Sequence, residues 1–210
     1  MSMAFSLFRL CRPLILASAS PRRRDFLYSA GLRAEVHPAA CPEPRPEAGE
    51  DPLAYTRRCA QAKALAVASE LAGRRDHPAV LAADTAVILR DGAKAEILGK
   101  PANRDDAVAM LEKLCGRTHQ VTTACCLAWD GQADVFDDTA DVTFNDWPRS
   151  ALEAYAAGGE PMDKAGAYGI QGGGAFLVRE MRGSWSTVVG LPLDMVLKRM
   201  LQAGILQNVR

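Results

Sequence analysis

Residues 14–24 read Leu-Ile-Leu-Ala-Ser-Ala-Ser-Pro-Arg-Arg-Arg, and the prediction of the fold starts from this stretch. The apolar run at residues 14–18 is typical of a buried strand. Ser20 followed by Pro21 predicts a helix N-cap with proline at the first helical position, and Gly31 predicts the end of that helix. A helix start that carries hydroxyls and arginines is suited to holding phosphate. The alternative is an ordinary capped helix with solvated arginines.

Outward from this stretch, strands and helices alternate at first, and antiparallel pairs follow in the middle of the chain. This order predicts an α/β protein with a mixed sheet flanked by helices. We expect a helix from Asp51-Pro52, a strand over residues 79–89 with a hairpin at Asp91-Gly92, a helix over 104–114, paired strands over 119–129 and 135–144, a helix from Pro148 to Gly158, a strand over 185–189 and a helix over 193–203.

The composition is that of a globular protein without a nucleic-acid partner. The chain has 210 residues, enough for one large domain or two closely packed lobes, and is 49% hydrophobic and 24% charged. Lys plus Arg and Asp plus Glu number 25 each, so no broad basic surface is expected to attract DNA or RNA. Any polyanion that binds must be small and held by a local cluster.

The termini and the cysteines predict a cytoplasmic protein. Residues 1–13 are apolar but interrupted by Arg9 and Arg12, so we interpret them as an N-terminal extension rather than a signal peptide. No apolar run reaches the length of a membrane span, and no membrane association is expected. The six cysteines form no CxxC pair, which indicates reduced thiols in the cytosol.

Asp84 is the most informative single residue. A lone carboxylate inside the apolar stretch 79–89 is costly to bury unless it is paired or binds a metal. An acid in this position is a candidate metal ligand or general base. The alternative is that the strand ends at Ala83 and that Asp84 and Thr85 form a turn. The apolar pattern resumes at once with Val87, which weakens that alternative.

Two lysines and a glycine-rich segment are weaker candidates. Lys63 lies among small residues on the predicted second helix, and Lys100 lies in a Gly-Lys-Pro turn, so either could face a phosphate or simply be solvated. The segment that holds Lys164, Tyr168 and Gln171 is rich in glycine, which permits close approach of backbone to a ligand. It is either a wall of a binding pocket or a connecting loop.

Taken together, these motifs resemble the Maf family of nucleotide pyrophosphatases. The resemblance runs over most of the chain and implies an elongated mixed α/β fold related to the inosine triphosphate pyrophosphatases, with residues 14–210 as a single domain whose two lobes flank a nucleotide cleft. The runs that carry it are LILASASPRRRDFL (14–27), AADTAVIL (82–89), LGKP (98–101), LCGRTHQVTTA (114–124), PMDKAGAYGIQGGGAFLV (161–178) and GSWSTVVGLPLDMV (183–196).

The resemblance also implies an activity. The family hydrolyses nucleoside triphosphates between the α and β phosphates, giving a monophosphate and pyrophosphate, with Mg²⁺ or Mn²⁺ as cofactor. The segment around Lys164 and Gln171 is similar to that of the branch acting on dTTP and UTP, whereas another branch prefers 7-methyl-GTP. Such an enzyme removes non-standard or excess nucleotides. A homodimer and a nucleoside triphosphate are the partners that the resemblance implies.

The resemblance assigns roles to individual residues. Two positions depart from the family pattern: Pro42 replaces the acid that usually precedes Glu43, and Cys115 replaces a serine. Asp84 is the candidate general base or, alternatively, only a metal ligand. The implied catalytic residues are Asp84, Lys63, Lys100 and Glu43, the metal ligands are Asp84 and Glu43, and the substrate-binding residues are Ser18, Arg22, Arg23, Lys164 and Gln171.

Two rival functions stay open at this point. One is an interaction protein, because Maf-type proteins are linked with inhibition of septum formation. The set of charged residues implied by the family argues against a purely structural role. The other rival is a phosphohydrolase that releases the γ-phosphate, which analysis of the products would distinguish.

Overall fold

A mixed sheet of seven strands organises the fold in the computed structural model, which describes residues 7–92 and 94–209. The strand order is β3-β2-β4-β6-β7-β8, and β5 also pairs with β4. β2 lies parallel to β3 and to β4, whereas β4–β5 and β7–β8 are antiparallel, so the predicted mixed sheet is confirmed. The strands are β1 (Phe8–Leu10), β2 (Leu14–Leu16), β3 (Ala34–Val36), β4 (Ala79–Asp91), β5 (Lys94–Leu98), β6 (Thr118–Trp129), β7 (Gln132–Phe144), β8 (Val178–Arg182) and β9 (Leu206–Asn208).

The helices begin largely where the sequence predicts. The second helix starts after Asp51, whose carboxylate accepts from the N–H groups of Leu53 and Ala54 and so caps it. None of the helices in the described residues combines the length and apolar character that crossing a membrane requires. The helices are α1 (Pro21–Ser29), α2 (Pro52–Glu70), α3 (Arg104–Leu114), α4 (Arg149–Ala157), α5 (Trp185–Val189) and α6 (Leu193–Gln202), with short 3₁₀ turns at Glu160–Asp163, Ala165–Ala167 and Gly173–Leu177.

The described chain divides into two compact units, and the first unit comprises residues 7–84, 124–137 and 190–209. Its strand β2 is buried on both faces, as its continuous apolar run predicts. Leu14 and Leu16 point into one core, together with residues of α1 and α6. Ile15 points into the other, where alanines of α2 cover it. This alternation is the two-residue period of a strand.

The second unit comprises residues 85–123 and 138–189. Its core joins α3 and α4 with the later halves of β4 and β7. His119, Phe144 and Tyr168 form a buried cluster in which each pair of rings meets edge to face. The cluster anchors the glycine-rich segment, because Tyr168 is part of that segment and packs against His119 and Phe144.

Residues 185–189 correct the prediction of a strand, since they form helix α5. The run of β-branched residues there favours a strand by propensity, but tertiary contacts override it. Thr187 is fully buried, and its hydroxyl donates to Asp138 while its carbonyl accepts from Thr123. The N–H groups of Thr187 and Val188 both bond to the Ser184 carbonyl, which closes a helical turn.

Two further details differ from expectation. Ser20 precedes α1 as predicted, but its side chain makes no capping hydrogen bond. Part of the N-terminal extension is a strand, because β1 pairs antiparallel with β9 near the other end of the chain. Residues 1–6 of that extension lie outside the described residues.

Candidate functional site

Lys63 forms an ion pair with Asp84 in the first unit. Asp84 lies within β4, which continues to Asp91, so the alternative that the strand ends at Ala83 is wrong. The side chains of Lys63 and Asp84 are only 21% and 14% exposed, so the pair is largely removed from water. The expectation that a carboxylate in this strand needs a partner is therefore met by a lysine from α2.

Glu43 approaches the same lysine from the loop that precedes α2. Its Oε2 lies 3.4 Å from Lys63 Nζ, and its Oε1 accepts from the Tyr55 hydroxyl at 3.2 Å. The Glu43 side chain is 57% exposed, and these two contacts hold it in place. Despite the proline at position 42, the loop thus brings Glu43 to the ammonium that also contacts Asp84.

Ser18 and Arg23 meet where β2 ends and α1 begins. Arg23 Nη1 donates to Ser18 Oγ at 2.9 Å, and its Nε donates to the Gly190 carbonyl at 2.8 Å. Because the Ser20 side chain does not cap α1, no hydroxyl of that residue covers the N–H groups of the first turn. Arg22 is half-buried in the same turn. A helix N-terminus with two arginines and a serine is a chemically suitable site for an anion.

Electrostatics couple these residues. Burial lowers the pKa of Arg23 and the positive charge of Arg22 does so as well, while the charge of Asp84 opposes them. Burial alone would lower the pKa of Lys63, but the charge and hydrogen bond of Asp84 and the charge of Glu43 outweigh it and raise this pKa. Lys63 is therefore a stable cation, and Asp84 interacts with two cations from different helices.

In the second unit, backbone hydrogen bonding ties Lys100 to the glycine-rich segment. The Gly166 N–H donates to the Gly99 carbonyl at 3.0 Å, which places the turn that carries Lys100 against the segment that carries Lys164. Lys164 is only 14% exposed, and its Nζ contacts the Asp163 carboxylate at 2.6 Å. Lys100 and Gln171 are exposed. The structure thus groups the candidates of this unit around one folded segment.

The two carboxylates that contact Lys63 have the oxygen atoms that a hard divalent cation prefers as ligands. Mg²⁺ is usually held by one or two carboxylates together with substrate phosphates and water, and Asp84 with Glu43 supplies two carboxylates. These two acids already share a cationic partner, the Lys63 ammonium. Within residues 7–92 and 94–209, no group of three or more His, Cys, Asp or Glu side chains is arranged to hold a metal. A divalent cation held by these two carboxylates would have to complete its coordination with other oxygen ligands.

Sequence reasoning missed Tyr55, whose hydroxyl donates to Glu43. Tyr55, Cys59 and Lys63 follow one another at four-residue spacing, so they share a helix face. Burial, together with the charge of Asp84, raises the pKa of the Cys59 thiol to about 11 and keeps it neutral. The spacing of Tyr55 and Lys63 was the available signal, although it indicates only a shared face, and the contact of both with Glu43 depends on the fold.

The fold and the site define a mixed α/β protein in which a helix start chemically suited to an anion lies near a lysine that two carboxylates contact. The chain belongs to the Maf-like protein family, whose model matches residues 13–203. It is 50% identical to the dTTP/UTP pyrophosphatase of Nitratidesulfovibrio vulgaris, over 94% of this chain and 90% of that protein. Proteins of the same name from Oleidesulfovibrio alaskensis and Lawsonia intracellularis are 48% and 40% identical, over 92% and 94% of this chain and 86% of each relative.

Proposed function

We propose that this protein hydrolyses nucleoside triphosphates, dTTP and UTP foremost, to a nucleoside monophosphate and pyrophosphate. The proposal rests on the contact of Lys63 with both Asp84 and Glu43. This contact brings together a basic group that can bind phosphate and two acids that can bind a metal cation or orient a water. The names of the three relatives above support the choice of dTTP and UTP. Removal of non-standard or excess nucleotides is the corresponding cellular role.

The proposed reaction is a displacement at the α-phosphorus. A water oxygen bonds to that phosphorus, the bond to the oxygen that bridges the α and β phosphates breaks, and pyrophosphate leaves with the electron pair. Asp84 is the candidate acceptor of the water proton. Charge grows on the phosphate oxygens as the bond breaks, and positioned cationic side chains stabilise that charge. Lys63, Lys100, Arg22 and Arg23 are the cations proposed for this role.

A divalent cation, Mg²⁺ or Mn²⁺, is part of the proposal, with Asp84 and Glu43 as its protein ligands. When bound, it would neutralise charge on the phosphate oxygens. Ser18 would donate a hydrogen bond to phosphate, and Lys164 and Gln171 would recognise the pyrimidine base. All six cysteines are free thiols, which supports a reducing, cytoplasmic location. The net charge of zero supports a small substrate rather than nucleic acid, and a homodimer is the proposed assembly.

A substrate panel tests the proposed function. Pyrophosphate release is followed with dTTP, UTP, CTP, GTP and 7-methyl-GTP, in Mg²⁺ or Mn²⁺, for the wild type, Asp84→Ala and the control Asp91→Ala. We expect dTTP and UTP to be the best substrates and Asp84→Ala to lower kcat by about 10²–10³-fold. Asp91 is exposed on the same strand, so its variant should match the wild type.

Other results of the substrate panel would support a different function or a different substrate. Inorganic phosphate with a nucleoside diphosphate would indicate the γ-phosphohydrolase. Activity confined to 7-methyl-GTP would overturn the choice of base and keep the reaction. No release from any triphosphate would refute the enzyme and favour the interaction protein.

A further inference from the structure

Glu160 lies at the centre of a hydrogen-bond network in the second unit. It follows Gly159, whose positive φ of 78° turns the chain after α4. Glu160 Oε2 accepts from the Gly173 N–H at 2.8 Å, and Oε1 accepts from the Tyr155 hydroxyl at 3.2 Å. The Gly174 N–H lies at 3.5 Å from Oε1 and adds a weaker contact. One carboxylate therefore reaches from the end of α4 to a backbone segment thirteen residues later.

Tyr155 extends this network to a second point of the same segment. Its hydroxyl donates to Glu160 and accepts from the Gly169 N–H at 3.2 Å. Burial and the charge of Glu160 raise the pKa of Tyr155, although the Gly169 N–H opposes them, so the phenol stays a proton donor. Glu160 and Tyr155 thus hold the backbone on both sides of Gln171.

Gly169, Gly172 and Gly173 all lie close to the Glu160 carboxylate, and Gly169 also lies against the Lys164 side chain. A β-carbon at Gly172 would lie 2.4 Å from Glu160 Oε1, and one at Gly169 or Gly173 would lie 2.9 Å from a Glu160 oxygen. The three atoms that a β-carbon at Gly172 would approach most closely all belong to the Glu160 carboxylate. Alanine at position 172 would therefore displace the Glu160 carboxylate.

Glu160 also contacts Lys164, through its main chain. Lys164 Nζ donates to the Glu160 carbonyl at 2.7 Å. The same residue thus contacts Lys164 with its backbone and the turn around Gln171 with its side chain. Its carboxylate accepts a hydrogen bond from a protein donor on each oxygen, and both donors belong to the second unit.

We propose that Glu160 is a positioning residue for base selection: it fixes Gln171 relative to Lys164 without itself contacting the nucleotide. This inference rests on the proposed function, in which Lys164 and Gln171 recognise the base. A preorganised segment pays less ordering entropy when the base binds, so loss of Glu160 weakens binding rather than chemistry.

Steady-state kinetics of Glu160→Ala test the proposal, with Glu153→Ala as the matched control. Glu153 is an exposed acid on α4 that pairs with Arg149. We expect Glu160→Ala to raise KM for dTTP by about tenfold, to change kcat by less than about twofold and to reduce the preference for dTTP over CTP by about tenfold. Glu153→Ala should equal the wild type in all three.

A double-mutant cycle separates positioning from a general loss of stability. Gly172→Ala keeps the carboxylate but displaces it, so it should raise KM for dTTP as Glu160→Ala does. The KM for dTTP of the double variant should exceed that of Glu160→Ala by less than about twofold, because both changes break the same contacts. If the increases in KM of the two single variants multiplied in the double variant, the proposal would be overturned. Gly172→Ala and Tyr155→Phe also carry the test if Glu160→Ala does not fold.

Amide exchange in the protein without nucleotide provides a readout that does not depend on activity. The N–H groups of Gly169 and Gly173 should be protected in the wild type and in Glu153→Ala and should exchange at least about tenfold faster in Glu160→Ala. Unchanged exchange and an unchanged KM in Glu160→Ala would overturn the proposal. If the wild type released no pyrophosphate from any substrate, the proposed function would fail, and the proposed role in base selection would fail with it. Exchange would then still decide whether Glu160 holds the segment.

Discussion

Replacing Lys63 by Met tests the reasoning most directly, because this residue contacts both acids. The Lys63–Glu43 contact is 3.4 Å long, and Glu43 is 57% exposed, so its loss costs below about 1 kcal/mol. Asp84 is 14% exposed, and leaving it without its partner costs about 1–3 kcal/mol. We expect the free energy of unfolding to fall by about 2 kcal/mol, which lowers Tm by about 4–8 °C for a chain of this size. The variant should therefore remain folded at 25 °C.

The activity of Lys63→Met should fall much further than its stability suggests. If Lys63 stabilises charge on the phosphate oxygens, kcat for dTTP falls by about 10²–10³-fold. Lys113→Met is the control, since Lys113 pairs with Glu96 on the surface and both are about half exposed. It should change the free energy of unfolding by less than about 1 kcal/mol and leave kcat unchanged. A kcat for Lys63→Met within threefold of the wild type, in protein shown to be folded, would refute the reasoning.

Two further predictions follow from buried titratable groups. Burial lowers the pKa of His119 to about 4 in the folded protein. As the pH falls, His119 therefore becomes protonated in the unfolded chain before it does in the folded one, and stability is lost between about pH 6.5 and pH 4. The difference in unfolding free energy between the wild type and His119→Phe should therefore shift by about 2–3 kcal/mol between pH 7 and pH 4.5 in urea titrations; a constant difference would contradict the assignment. Burial also raises the pKa of Cys125 and of Cys126 to about 12, whereas Cys11 is exposed. At pH 8 a thiol reagent should label Cys11 in the folded protein and the other two only after unfolding, and equal labelling rates would contradict their burial.

The sequence predicts those elements whose cause is local. Helix α3 spans Arg104–Leu114, the predicted bounds, because Asn103 caps it and its apolar positions follow the helical period. The hairpin at Asp91-Gly92 joins β4 to β5, as its turn residues indicate. Helix α5 was missed since Asp138 and Thr123, which contact Thr187, are distant in sequence.

The same distinction applies to the site. A carboxylate in an apolar strand predicts a partner for Asp84, and that partner exists. Its identity as Lys63 depends on how α2 lies beside β4, which no local pattern specifies. Glu160 escaped notice because an acid before a proline near a helix end is an ordinary surface pattern. Its function emerges only when residues 169–174 fold back over its carboxylate.

Asp84 and Glu160 differ in the hydrogen-bond donors that they contact, and that difference supports the separate roles proposed for them. Glu160 accepts from backbone N–H groups and from the half-buried phenol of Tyr155, which the fold holds in place. Asp84 instead accepts from Lys63, an ammonium on a flexible stem of four carbons. Such a donor can leave the carboxylate when a phosphate or a metal cation arrives, because rotation of a few side-chain bonds moves it. A carboxylate held by rigid donors is therefore suited to shaping a segment, whereas one held by a movable cation is suited to binding and chemistry.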